Sequence, residues 1–270
     1  MYYLLATALL AAHWHSSIAQ NAYPLIGARA NGNGYASSCM SDASSIFNNV
    51  AGLAGVQDFQ ASLTYDVFPG FATFNRLAAA IVMPLKLGTV GGGLFRFGDE
   101  LYNEQHLTLG YANKFGLASL GGRVTVMQNY TEGFGRNAVV TFSAGGVATL
   151  TPWLSVGAHV VNITQPRIAE DQRVPSLIIL GVSSKASEKI SMMIEVEKDL
   201  DYSVTVKGGL EYSIHRKLQI RTGVNVHPNA GFFGIGFAQR NYSIDYAVSY
   251  YELLGMRHQM GVSYRFKKRS

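Results

Sequence analysis

Charged side chains set at alternate positions within otherwise apolar runs are the residues of this sequence best placed to do chemistry. Arg123, Glu195, Glu197, Glu211, Arg221, Asp245 and Arg265 all occupy such positions. If the apolar alternates face outward, these charges face an interior. Enclosed charges of opposite sign must pair, because an unpaired buried charge is costly. Two roles fit them: a polar conduction path or ligand site, and a structural network that ties strands together. The near balance of acids and bases favours the network. His106 and His159 stand as single candidate bases on separate runs. Nucleophilic hydrolysis needs a Ser and a His on one face, and no G-x-S-x-G is present. No Cys, His and acid cluster has metal-ligand spacing. The chain therefore reads as a non-enzyme with no catalytic residue, cofactor or metal site.

The elements that must position these residues are strands. In Tyr242–Tyr250 the residues Tyr242, Ile244, Tyr246, Val248 and Tyr250 alternate with Ser243, Asp245, Ala247 and Ser249. The last run repeats this, with His258, Met260, Val262, Tyr264 and Phe266 on one face and Gln259, Gly261, Ser263 and Arg265 on the other. A period of two gives one apolar face and one polar face. Runs of about ten residues, the length of a tilted membrane strand, follow one another from Gln57. They fall near 57–67, 73–85, 87–97, 104–113, 117–130, 138–150 and 155–164. The rest fall near 175–185, 189–198, 203–214, 218–227, 231–240, 242–251 and 256–266. The expected fold is an all-β, transmembrane antiparallel barrel of about fourteen strands. Tight turns at Lys114–Gly116, Thr151–Trp153, Ser187–Glu188, His215–Lys217 and Arg240–Asn241 would face the periplasm. Short outer loops are expected at Thr131–Asn137, Gln165–Val174 and Pro228–Asn229.

Composition agrees with a barrel. Charged residues are 14% of the chain, against about 25% in a typical soluble domain. Glycine (29), tyrosine (15) and phenylalanine (14) are plentiful, as strand faces and aromatic girdles require. A mean hydropathy of +0.10 excludes a bundle of membrane helices. The net charge of +5 is spread along the chain, and Lys267-Lys268-Arg269 reads as a solvated tail and not a nucleic-acid site. Residues 1–19 read as a signal peptide, with an apolar Leu4–Ala12 and a small-x-small Ser17-Ile18-Ala19, although no Lys or Arg precedes Arg29. The lone Cys39 excludes an internal disulfide. It lies far beyond the apolar leader, so it reads as a packed small residue and not a lipidation site.

Residues 20–56 do not alternate. They contain Ile26-Gly27-Ala28-Arg29-Ala30-Asn31-Gly32-Asn33-Gly34, and later Ser41-Asp42 ahead of Asn48-Asn49-Val50-Ala51-Gly52-Leu53-Ala54. Ser41 or Asp42 is placed to cap a short helix through Phe47. This "GARAxGxG…DASxxxxNxAGLA" leader, followed by a barrel, resembles the PorV/PorQ family of Bacteroidetes within the FadL-like barrels. The closing half resembles it too, through Glu195-Val196-Glu197-Lys198, Gly209-Leu210-Glu211-Tyr212, Ile244-Asp245-Tyr246-Ala247 and Val262-Ser263-Tyr264-Arg265-Phe266. That family has Asn-Pro-Ala-Gly where this chain has Asn49-Val50-Ala51-Gly52. The resemblance implies a bacterial outer-membrane protein with a plug over 20–56, carrying Arg29, Asp42, Asn48 and Asn49, and a barrel over 57–270. It implies a type IX secretion role as escort or partner of the translocon or its cargo. The alternative it implies is FadL-like uptake of fatty acids or other hydrophobic small molecules, with a wall gap at Gly91, Gly92 and Gly93. Those three glycines equally suit close approach of the plug to the wall.

Overall fold

The computed structural model describes residues 24–169, 172–199, 203–252 and 254–266. The expected leader over 1–19 and the basic tail Lys267–Arg269 lie outside the described residues. The strands in the first half are β1 (Phe59–Val67), β2 (Arg76–Leu85), β3 (Gly88–Gly98), β4 (Tyr102–Phe115), β5 (Ala118–Thr131), β6 (Gly135–Thr151) and β7 (Leu154–Val161). Two short strands follow, β8 (Arg167–Ala169) and β9 (Gln172–Arg173). The second half holds β10 (Leu177–Lys185), β11 (Ile190–Asp199), β12 (Thr205–His215), β13 (Leu218–Asn225), β14 (Ala230–Gln239), β15 (Tyr242–Tyr251) and β16 (Gly255–Phe266).

Fourteen of these strands form a closed antiparallel barrel in chain order, with β7 paired directly to β10 and β1 to β16. Closure removes every sheet edge, so all strand amides within the membrane find partners. Every expected strand is present, with ends displaced by a few residues. The hairpin β8–β9 was not expected; it sits in the connection between β7 and β10, which reads from sequence as plain loop. Outward-facing Leu63, Ile81, Leu94, Leu109, Ile194 and Met260 are all exposed. Such a band belongs in lipid. Phe59 and Phe266 are cross-strand partners at the seam, with ring centroids 4.8 Å apart. The closing aromatic of the chain thus stacks across the β1–β16 seam.

The N-terminal segment lies inside the barrel. It consists of helix α1 (Ala28–Gly32) and two 3₁₀ turns, Ala43–Ile46 and Val50–Gly55. The first is the short helix expected there, wound as a 3₁₀ turn with Asp42 as its N-cap and Phe47 as its C-cap. Asp42 accepts from the Ser44 amide at 2.9 Å, and the Asp42 amide donates to Ser45 Oγ at 3.2 Å. The second turn is capped by Asn49, whose Oδ1 accepts from the Ala51 amide at 3.1 Å. A side-chain cap thus starts this turn.

Glycines on the inner wall decide where this plug rests. A Cβ at Gly209, Gly223 or Gly234 would collide with the backbone of Asn33, Gly34 or Gly32. One at Gly157 would collide with the Ser38 carbonyl, and one at Gly121 with the backbone at Val50–Ala51. The plug backbone therefore lies directly on the wall over much of its course. Replacing Gly223 with Val is expected to destabilise the barrel by about 1–3 kcal/mol or more through overpacking. Gly231 on β14 meets nothing within 4 Å, so Gly231→Ala should leave stability unchanged. Heat-modifiable mobility and thermal unfolding in detergent check both; equal behaviour of the two variants contradicts the contact.

Candidate functional site

The candidate site is the lumen around the plug, and its polar half is built from paired charges. On β12, β13 and β15 the residues Glu211, Arg221 and Asp245 point inward. Arg221 bridges Glu211 at 2.6 Å and Asp245 at 2.7 Å. Arg29 of α1 reaches Glu211 with two nitrogens, at 2.9 and 3.0 Å, and lies 3.8 Å from Asp42. Farther round the wall, Lys207 of β12 meets Glu195 at 3.2 Å and Glu197 at 2.6 Å. Glu195 also accepts from the plug amides of Ser37 and Ser38, at 3.0 and 2.8 Å. Arg123 of β5 serves the opposite wall: it donates to the Ile46, Phe47 and Asn48 carbonyls where the first 3₁₀ turn ends.

The charges of the plug itself respond to this setting. Glu211 beside Arg29 holds the guanidinium well above its ordinary value, against the opposing effect of burial. Burial pushes the Asp42 carboxyl up, with Arg29 pulling the other way. Burial also pushes the Cys39 thiol up to about 11. That keeps it protonated and unreactive.

Three spaces surround the plug. Toward the end that carries the short turns, a polar chamber of about 330 Å³ is lined by Arg29, Asp42, Glu211, Arg221, Asp245 and Arg265. At the other end, a chamber of about 290 Å³ includes Tyr35, Arg76, Lys207, Tyr251 and Arg257. Between plug and β4–β7 lies a small cavity of about 40 Å³. Its apolar lining is Pro24, Phe47, Met127, Val161, Val174 and Pro175, and its polar lining includes His106, Thr108, Arg123 and Asn162.

The charged residues expected in the lumen all face it. Arg221, Glu211 and Asp245 come together with Arg29 and Asp42 of the plug, and Glu195 with Glu197. Arg265 lines the polar chamber without an ion pair among the described residues. Asn48 holds the strand-like entrance of the plug, donating to the Ile26 carbonyl at 2.9 Å. Asn49 donates to Ser38 and Gly146 carbonyls at 2.7 and 3.1 Å. The expected gap at Gly91, Gly92 and Gly93 is corrected: β3 is paired without interruption to β2 and β4 through all three. Gly91 and Gly93 face inward and give room to Leu53, Ile46 and Phe47, so their smallness seats the plug. The sequence reading missed a second cluster, in which Asp66 takes Arg76 and Arg257, each at 2.6 Å, while Arg257 also donates to the Tyr35 hydroxyl at 3.2 Å. Lys207 was missed as well. Carrying the alternation back from Gln259 to Arg257 and from Glu211 to Lys207 is the signal that locates them.

Among known structures, the chain is similar over 92% of its length to the whole of the monoaromatic hydrocarbon channel CymD, with a TM-score of 0.74 and 12% identity. It is also similar to the P. putida toluene transporter TodX, with a TM-score of 0.66 and 12% identity over 90% of this chain and 99% of that one. Acinetobacter baumannii Omp33 matches more loosely, with a TM-score of 0.54 and 7% identity over 77% of this chain and 98% of that one. No protein-family model matches the chain, and no curated protein matches it in sequence. The chain is a fourteen-stranded closed β-barrel whose fold is similar to that of these channels. The expected role as a type IX secretion escort is corrected, because the barrels that share this fold along nearly the whole chain are hydrocarbon channels. Among the described residues, no group of three or more His, Cys, Asp and Glu is placed to hold a metal ion.

Arg123 is the test of how the plug is held. Arg123→Met removes the hydrogen bonds to three plug carbonyls and is expected to cost about 2–3 kcal/mol. Thermal unfolding should fall accordingly, and ion conductance in planar bilayers should rise as the plug loosens. Unchanged stability and conductance would show that Arg123 does not anchor it.

Proposed function

We propose that the protein is an uptake channel that carries small apolar molecules, of the size of a single aromatic ring, across the outer membrane. The observation that carries the reading is the cavity whose apolar side is formed by Phe47 of the plug and Met127 and Val161 of the wall. At about 40 Å³ it is smaller than the roughly 150 Å³ cavity that accepts benzene in an engineered protein. A ring therefore enters by spreading its lining, and leaves toward the periplasm when residues 46–48 shift off Arg123. The hydrocarbon channels that share the fold support the same substrate class.

The remaining assignments are proposals of the same standing. Residues 1–19 act as the export signal, and the plug passes into the barrel at residues 56–57. The luminal charges serve to hold the plug to the wall rather than to select ions. Kinship with PorV/PorQ rests on the leader and closing motifs and concerns ancestry, not role.

Toluene uptake by intact cells lacking their own hydrocarbon channels tests the function. Cells producing the protein should take up dilute toluene several-fold faster than control cells, while a small saccharide gains nothing. Met127→Trp fills the cavity and should abolish the gain while the heat-modifiable folded band persists. Equal toluene uptake with and without the protein removes the reading.

A further inference from the structure

We propose that the lipid-facing wall over β2–β5 carries a binding site for a phosphorylated glycolipid of the outer leaflet. The proposal rests on the reading of the chain as an outer-membrane barrel and is independent of what passes through its lumen. Outward residues of neighbouring strands pair into rungs across this wall. The rung Leu63, Ala79, Leu94, Leu107, Val126 and Val140 is wholly apolar. One side-chain repeat (about 7 Å) toward the outer end, the rung reads Tyr65, Leu77, Arg96, Gln105, Gln128 and Ala138. On the next, Asn103 pairs with Tyr130 and Tyr130 with Arg136, whose guanidinium lies 5.6 Å from the centre of the Tyr130 ring. The surface thus turns from apolar to polar and cationic within one repeat, as it must where acyl chains give way to headgroups.

A groove of about 380 Å³ crosses that boundary. Leu77, Ala79, Leu94, Leu107 and Val126 form its apolar part, and Arg96, Gln105 and Gln128 its polar part. Strands β2 to β5 pair without interruption beneath it, so it is a depression in the wall and not an opening. The Arg96 side chain is exposed and makes no hydrogen bond or ion pair with another described residue. Gln105 is steadied by donating to Asn103 Oδ1 at 3.2 Å, which leaves its own carbonyl oxygen to accept. The acids at this end, Asp99, Glu100 and Glu132, sit in the turns beyond the strand ends. Asp99 is occupied there by the Leu101 and Tyr102 amides, at 2.9 and 3.0 Å. A guanidinium at the edge of the acyl region with no protein counter-ion takes one from lipid, and phosphate fits its paired N–H groups. The ordinary role of such an arginine is to snorkel among bulk headgroups. Here an acyl seat lies directly below it and two amides stand beside it. Arg136 follows three strands on, roughly 14 Å at the ordinary strand spacing. Two cations flanking two amides match a disaccharide with a phosphate at each end, its acyl chains running over Leu94, Leu107 and Val126. A glycerophospholipid has one phosphate and no sugar to offer them.

Native mass spectrometry of the full chain, released from detergent micelles with added lipid, tests the site. The probes are bis-phosphorylated lipid A, its monophosphoryl form and phosphatidylglycerol. The wild type should retain one bis-phosphorylated lipid A at a several-fold lower concentration than it needs for phosphatidylglycerol. Arg96→Gln should raise the lipid A concentration required roughly tenfold. Arg136→Gln should bind the bis-phosphorylated form no better than the wild type binds the monophosphoryl form. Lys198→Gln, which removes an exposed charge from β11, should change nothing. The heat-modifiable band reports that each variant folds, and toluene uptake through Arg96→Gln should equal that of the wild type. Equal retention of lipid A by the wild type and Arg96→Gln overturns the site, as does equal retention of lipid A and phosphatidylglycerol by the wild type. Both results leave the uptake reading standing, and a failure of toluene uptake leaves the lipid site standing.

Discussion

Glycine on the inner wall is the constraint on which the rest of this barrel depends. Strands of a barrel this size enclose a lumen that ordinary side chains would partly fill. Here the inward alternates at the height of the plug are repeatedly glycine, and plug atoms occupy the space that a Cβ would take. The wall supplies a smooth track, and the plug supplies the side chains that the track lacks. Contact between backbones fixes the position of the plug closely, while Arg123, Glu195 and Glu211 supply its polar anchors.

This division gives the lumen two unlike halves. Toward β11–β16 the plug presents Arg29 and the Ser37 and Ser38 amides to buried charge pairs. Toward β2–β4 it presents Ile46, Phe47, Val50 and Leu53 to Ala78, Ala80, Val82 and Phe95. The small cavity lies next to that second half, between the plug and β4–β7, beside Phe47. In the proposed uptake, a hydrocarbon would follow the less charged side of the plug, past Phe47 and Met127. The charged half then has a separate task, which is to hold the plug while the apolar half yields.

Much of the barrel is legible in the sequence, because a period of two runs through most of the barrel strands and marks both faces. The luminal direction of Glu195, Glu211, Arg221 and Asp245 follows from that alternation alone. Their partners do not. Arg123 reads as one member of a charge network, whereas its contacts are plug carbonyls, which no side-chain pattern announces. Gly91–Gly93 read equally as a weak wall or a close approach, and only the position of Leu53 and Phe47 separates the two. The hairpin β8–β9 is too short to produce a pattern. The secretion role came from leader and closing motifs, which reflect how a plug meets a barrel and not what passes through it.

The central claim is that the cavity between Phe47, Met127 and Val161 receives a small aromatic molecule. Crystals soaked with iodobenzene test it most directly, because the iodine locates the ligand by anomalous scattering. The account predicts an anomalous peak within that cavity, with the plug still seated on the wall glycines. Iodine found solely on the lipid-facing surface, with the cavity unchanged, would contradict it.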